Sequence, residues 1–139
     1  MRYSAERSER AIRTLVGAVA VLAGLLLPWT FALAGDVTWA TDANGNWHDP
    51  NNWSSAPALP GADSNVTIDR PSYDLTVIHS VGTHTINTLS CAENLTVSGG
   101  TLTISATSLI TGNLAVSGGT INFNGPASVA GQRRSSRVR

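Results

Sequence analysis

The chain contains no lysine, and its 139 residues include a single cysteine, Cys91. One cysteine cannot form an internal disulfide, so cross-linking is excluded as a source of stability. We expect Cys91 to be a small buried residue, because a free cysteine usually packs as a small apolar side chain. Aromatic residues make up only 6 % of the chain, so aliphatic side chains must supply most of any core.

Basic residues are almost absent from the middle of the chain. Residues 35–131 hold seven acidic side chains and one basic side chain, Arg70, which leaves a net charge of −6. This balance argues against a nucleic-acid partner, because such proteins need a basic patch to meet the phosphates. Four arginines lie in the last seven residues, and we expect residues 132–139 to form a basic disordered tail.

The N-terminal 34 residues have the pattern of a secretion signal. Four arginines precede the apolar run Leu15–Leu27, and Ala32-Leu33-Ala34 fits the small-x-small cleavage rule, with Gly35 as the first mature residue. An uncleaved membrane anchor is the alternative, because residues 14–34 are nearly long enough to span a bilayer. We predict cleavage, secretion and no membrane association of the mature chain.

A 19-residue repeat lies near the end of the chain. Residues 94–112 read NLTVSGGTLTISATSLITG, and residues 113–131 read NLAVSGGTINFNGPASVAG. The copies align without a gap. A fixed period of about 20 residues is typical of a solenoid, in which each copy is one structural unit stacked on the next. We expect Asn94 and Asn113 to be corner residues rather than glycosylation sites.

Short runs with a period of two predict strands throughout residues 74–131. Stacked in parallel, the copies place Leu114 over Leu95 and Val116 over Val97. Glycine pairs at 99–100 and 118–119 are expected to form corners with positive φ. An earlier, degenerate coil is predicted to start at Asp74, 20 residues before Asn94. These features predict an all-β, right-handed parallel β-helix of about three coils over residues 74–131, with a β-sandwich as the alternative.

Residues 35–73 differ in composition, and we expect them to form an N-terminal cap. They contain turn signals, four prolines and the three tryptophans Trp39, Trp47 and Trp53. One interpretation is that the indoles plug the open end of the apolar column, since tryptophan offers a large apolar surface. The other is that they are exposed and stack on sugar rings, so that the cap is a carbohydrate-binding module.

This region also resembles a known family. Trp39, Gly45-Asn46-Trp47, Asn52-Trp53 and the run Asp63–Ile68, with prolines between them, are similar to the opening of the passenger regions of autotransporter-associated β-strand repeat proteins. The Leu-x-Val-Ser-Gly-Gly-Thr coils also resemble the repeats of that family. The resemblance implies a secreted or surface-displayed bacterial parallel β-helix, a class that includes adhesins and matrix components.

Catalytic residues are hard to place on the predicted coils. Glycoside hydrolysis needs two carboxylates on one cleft, whereas residues 94–131 contain no acidic residue. Asp63 and Asp69 are explained by turn and strand-edge roles. We therefore predict that the chain is not an enzyme. A remnant of a β-helical polysaccharide lyase or hydrolase is the less favoured alternative.

A metal site was weighed at His48, Asp49 and Asp42. The stretch Asp42–Asn46 resembles a calcium loop only in part, because Gly45 is fourth rather than sixth and no glutamate follows at position twelve. Asx turns explain these residues without an ion. His79 and His84 are expected to be ordinary strand residues. We predict no metal and no cofactor.

Together these patterns predict a secreted or cell-surface structural or adhesive protein. The expected partners are extracellular glycans, other surface proteins or further copies of the chain stacked end to end. The alternative function is carbohydrate binding through Trp39, Trp47 and Trp53.

Overall fold

The computed structural model describes residues 35–134, with side chains through residue 131. The predicted signal peptide and residues 135–139 lie outside this range. Short strands alternating with turns make up most of the described chain, and a single 3-10 turn, Pro50–Asn52, interrupts them. The strands are β1 (Asp36–Thr38), β2 (Gly45–Asn46), β3 (Asn65–Ile68), β4 (Thr76–His79), β5 (Thr83–Ile86), β6 (Thr88–Cys91), β7 (Asn94–Val97), β8 (Thr101–Ile104), β9 (Ser108–Val116), β10 (Thr120–Phe123) and β11 (Ala127–Arg134).

The strands stack in parallel on three faces. The first face carries β1, β3, β6 and the start of β9, and the second carries β2, β4, β7 and the end of β9, while β11 continues both faces beside β9. The third face contains β5, β8 and β10. Successive coils form a right-handed β-solenoid of about four turns. The β-sandwich alternative is wrong, because the paired strands are parallel and a sandwich requires antiparallel sheets.

The core is the column of inward side chains that these coils stack on one another. Leu95 pairs with Leu114 and Val97 with Val116, as the repeat predicts, and all four residues are buried. On the third face, Leu102 lies beside Ile121 in the same way. Burial of this apolar surface contributes about 25 cal/mol per Å² to stability. The predicted burial of Cys91 is also confirmed.

The coil before the repeat has a shorter period than predicted. Thr76, rather than Asp74, pairs with Asn94, so the backbone spacing there is 18 residues. The inward face is unchanged, because a shift of two residues preserves the alternation of a strand. The loop before β4 is held by Glu93, whose carboxylate accepts the backbone N–H groups of Arg70 at 3.0 Å and Leu75 at 3.3 Å. That loop takes up the two extra residues.

The prediction of positive φ at four corner glycines is correct only for Gly100, whose φ is 67°. The other three are required for their small size. A Cβ atom on Gly99 would lie 2.1 Å from the carbonyl oxygen of Ser80, and one on Gly118 would lie 2.5 Å from that of Ser98. Coils therefore approach each other too closely at this corner for any side chain.

Both predicted end segments contribute strands. The segment 35–73 provides β1, β2 and β3, which extend the first and second faces, so the solenoid has more turns than the predicted three coils. At the other end, β11 continues to Arg134. The prediction of disorder from residue 132 is therefore wrong for residues 132–134, because their backbone pairs with Leu114–Val116 of β9. Among residues 35–134, no helix is long and apolar enough to cross a membrane.

Candidate functional site

The three tryptophans of the N-terminal region pack against one another. The ring centroids of Trp39 and Trp53 lie 5.0 Å apart, and those of Trp47 and Trp53 lie 4.7 Å apart, both in edge-to-face arrangements. The indole N–H of Trp53 donates to the carbonyl oxygen of Trp47 at 2.8 Å, and that of Trp39 donates to Ala43 at 3.3 Å. Edge-to-face aromatic pairs add to the stability gained from burial alone.

This packing does not fit the predicted carbohydrate platform. Trp39, Trp47 and Trp53 have exposed fractions of 1 %, 0 % and 1 %, so no indole face is open to a sugar ring. Instead, the rings belong to the same apolar core as the solenoid column. The alternative interpretation, a hydrophobic plug over the first coil, accounts for them, because the apolar surface of three indoles is better buried than exposed to water.

The oxygen-rich turns around residues 42–52 have structural roles. Asp42 forms an ion pair with Arg70. Asp49 accepts the backbone N–H of Asn51 at 3.0 Å and so caps the 3-10 turn, while the side-chain oxygen of Asn44 accepts the N–H of Thr76 at 2.7 Å. These contacts match the turn interpretation rather than a calcium loop.

The histidines, in contrast, come together. The chain has three, His48, His79 and His84, and one nitrogen from each ring lies within 4.8 Å of the others. His79 is fully buried, and the other two are half-buried. Their ring centroids are 5.0 to 5.2 Å apart. We call these three residues the histidine cluster.

Hydrogen bonds define which nitrogens of the histidine cluster carry protons. Nδ1 of His79 lies 2.9 Å from the carbonyl oxygen of Gly99, and a carbonyl can only accept, so Nδ1–H is the donor. Nε2 of His79 therefore accepts from Nδ1–H of His84 at 2.9 Å. Nε2 of His48 contacts the carbonyl oxygen of Val81 and is the donor there. The three rings thus form a network of neutral imidazoles.

The surroundings favour the uncharged form. Burial lowers the pKa of His79 below its ordinary value of 6.5, an effect that the hydrogen bond to Gly99 opposes and a positive charge on His48 would increase. Burial likewise lowers the pKa of His84, with further lowering by positive charge on His79 and His48. Neutral imidazole is the form that binds metal ions.

Two of these histidines occupy core positions of the solenoid. His79 pairs in register with Val97, and His84 pairs with Leu102. The same inward positions hold Val116 and Ile121 one coil later. The sequence analysis considered His48 with Asp49 and left His79 and His84 as separate strand residues. The available signal was that both stand where the following coils have buried aliphatic residues, but detecting it requires the 18-residue register.

Comparisons of the chain with family models, with curated proteins and with solved structures find no match. The resemblance to autotransporter-associated β-strand repeat proteins therefore stays a prediction.

Proposed function

We propose that this chain is a non-catalytic, structural and adhesive segment of a secreted or cell-surface bacterial β-solenoid protein. The observation that carries the proposal is an ordered array of uncharged polar side chains on the third face. The apolar column makes the coils a rigid support, and the outward side chains of β5, β8 and β10 are then presented at regular intervals.

The array consists of two files that run across the coils. In the first file, Thr83 pairs with Thr101, which pairs with Thr120. The second file contains Thr85, Thr103 and Asn122 in the same register. The alternating burial of β8, with Leu102 and Ile104 inside, directs the threonines outward. Neighbours are spaced about 4.8 Å across strands and about 6.6 Å along each strand.

Such a surface suits an ordered, neutral polysaccharide. Each threonine hydroxyl can donate one hydrogen bond and accept others, and so can each sugar hydroxyl. A repeating polymer can therefore meet several array positions at once, so that individually weak contacts add up. The partner class is the extracellular glycan expected from the sequence, but the proposed surface is the threonine array instead of the tryptophans.

Export is tested by producing the chain with its own N-terminal segment in a bacterial host. We expect the recovered protein outside the cytoplasm to begin at Gly35, as read by intact mass. A matched variant, Ala34→Arg, should block processing because the cleavage site requires a small residue. Accumulation of the full-length chain in the cytoplasm of the wild-type culture would contradict the proposed location.

Adhesion is tested with insoluble cellulose and chitin particles. Thr103→Lys in β8 should lower the bound fraction about 10-fold, equivalent to about 1.4 kcal/mol, because it interrupts the array with a long charged side chain. Thr96→Lys is the control: Thr96 is also half-buried and also lies on a strand paired on both sides, but on the second face. Equal binding of the two variants, with both folded, would refute the proposed face.

A further inference from the structure

The histidine cluster needs a physical explanation that the solenoid fold alone does not supply. His79 and His84 replace aliphatic residues of the inward column, and burial of polar side chains in such positions costs stability unless they gain partners. The third histidine, His48, comes from a distant part of the chain and lies against both. We propose that His48, His79 and His84 bind one divalent transition-metal ion, with Zn²⁺ as the representative, through one ring nitrogen each.

The spacing of the ring nitrogens suits a metal centre. A tetrahedral site with Zn–N bonds of about 2.0–2.1 Å places its nitrogens about 3.3 Å apart. Nε2 of His79 and Nδ1 of His84 are 2.9 Å apart, and all three donor nitrogens lie within 4.8 Å of one another. Small rotations of the rings therefore bring the three nitrogens to bonding distance, with no movement of the strands.

The buried ring is already oriented for coordination. Metal-binding histidines generally donate their second N–H to a carbonyl or carboxylate, which selects the tautomer and holds the ring. His79 does this through Nδ1 and Gly99, which leaves the lone pair of Nε2 directed at the other two rings. On binding, His84 needs only to transfer its proton from Nδ1 to Nε2 through solvent, so its charge does not change.

The donor set selects the class of ion. Three imidazoles without a carboxylate favour zinc, copper or nickel over calcium and magnesium, which prefer oxygen ligands. Three protein ligands leave a fourth position for water. His48 and His84 are half-buried, so an ion can reach the cluster from solvent.

The bound ion would connect two parts of the solenoid. His48 directly follows Trp47 of the hydrophobic plug, whereas His79 and His84 flank the turn between β4 and β5. Trp47 also packs against His79, with ring centroids 6.0 Å apart. The ion would therefore tie the plug to the first complete coil and slow its opening.

The test uses the chain as recovered from producing cells, without a polyhistidine tag, titrated with Zn²⁺ at pH 7.5 by calorimetry. We expect one ion per chain, a Kd below about 10 µM, and a rise in Tm of at least about 5 °C at saturating zinc. Replacement by Co²⁺ should give the visible absorption of a four-coordinate site. Mg²⁺ is the control ion and should change neither Kd nor Tm.

The variants follow the next coils of the same protein. His79→Val and His84→Leu install the residues found at the equivalent positions 97 and 102, so the folded column is kept while two ligands are removed. Because the loss of a second-shell contact alone weakens binding about 10- to 100-fold, each variant should weaken zinc binding at least about 10-fold. The half-buried His48→Asn should do the same, and Asp49→Asn, next to it, should not.

Two results would overturn the inference. One is the absence of stoichiometric zinc binding by the wild-type chain. The other is wild-type zinc affinity in His48→Asn, His79→Val and His84→Leu chains that retain the far-ultraviolet spectrum of the solenoid. Neither result depends on the threonine array, so the adhesive proposal is judged separately.

Discussion

The side-chain amide of Asn113 donates to the side-chain oxygen of Asn94 at 2.8 Å, across 19 residues of sequence. Asn94 in turn donates to Asp74 at 2.7 Å and to the carbonyl oxygen of Leu75 at 3.1 Å. A ladder of polar side chains therefore runs along the corner before the second face. The repeated asparagines that mark the start of each coil in the sequence are the members of this ladder, as the corner interpretation expects.

The ladder predicts unequal effects for its two asparagines. Asn94→Ala removes three hydrogen bonds and should lower the free energy of unfolding by about 1–2 kcal/mol. Asn113→Ala removes one bond at an exposed position and should cost at most about 1 kcal/mol. Chemical denaturation followed by circular dichroism measures both. A larger loss for Asn113→Ala than for Asn94→Ala would show that the ladder does not work in this way.

The hydrophobic plug predicts that the tryptophans support folding. Trp53→Ala should lower the free energy of unfolding by about 3–5 kcal/mol, because it empties a buried site between two other indoles. Tyr73→Ala is the control, since this aromatic side chain is 49 % exposed. The midpoint of guanidinium unfolding reports the difference. A folded Trp53→Ala chain with the wild-type midpoint would contradict the role of the plug.

Gly100 should tolerate no side chain. Its φ of 67° disfavours other residues, and an added Cβ atom would lie 2.2 Å from the carbonyl oxygen of Gly82. Gly100→Ala should therefore cost about 2 kcal/mol or more. Gly61→Ala is the matched control, with no atom within 4 Å of the added methyl group, and should change stability by less than about 0.5 kcal/mol. Equal melting temperatures for the two variants would rule out the close approach of the coils at this corner.

Cys91 should be chemically inert in the folded chain. Burial raises the pKa of its thiol to about 12, and the S–H group donates to the carbonyl oxygen of Glu93 at 3.2 Å. Because the thiolate is the reactive form, a disulfide reagent at pH 8 should label Cys91 only after unfolding. A cysteine placed at the exposed position 109, Leu109→Cys, should be labelled in the native state and serves as the control.

The same shift predicts a pH dependence at the alkaline end. The folded pKa of Cys91 lies above the ordinary value of 9.0, so the folded state holds the proton more tightly than the unfolded chain. Its contribution to stability is complete below pH 9 and is lost as the pH rises toward 12. In the Cys91→Ala chain this part of the alkaline loss should disappear. An unchanged slope above pH 9 would assign it to other groups.

Much of the solenoid was predictable where the repeat is regular. The predicted strands at 83–86, 101–104 and 120–123 have the observed bounds, and the partners of Leu95 and Val97 are the expected ones. Strand β6 was missed because Thr88–Cys91 lies in a coil without a clear repeat. Strand β11 was missed because its alanine, glycine and arginine residues carry little strand propensity, and pairing with β9 outweighs that preference.

The sequence by itself determined the stacking of the coils, since a 19-residue period that returns leucine and valine to inward positions can bury them only against the next copy. It also determined that Cys91 forms no internal disulfide. Only the tertiary structure decided which of two roles the tryptophans have, because exposure depends on what packs over them. The convergence of His48 with His79 and His84 was likewise decided in three dimensions. Residues more than 30 positions apart are brought together by the path of the chain through the N-terminal loops, and no spacing in the sequence encodes that path.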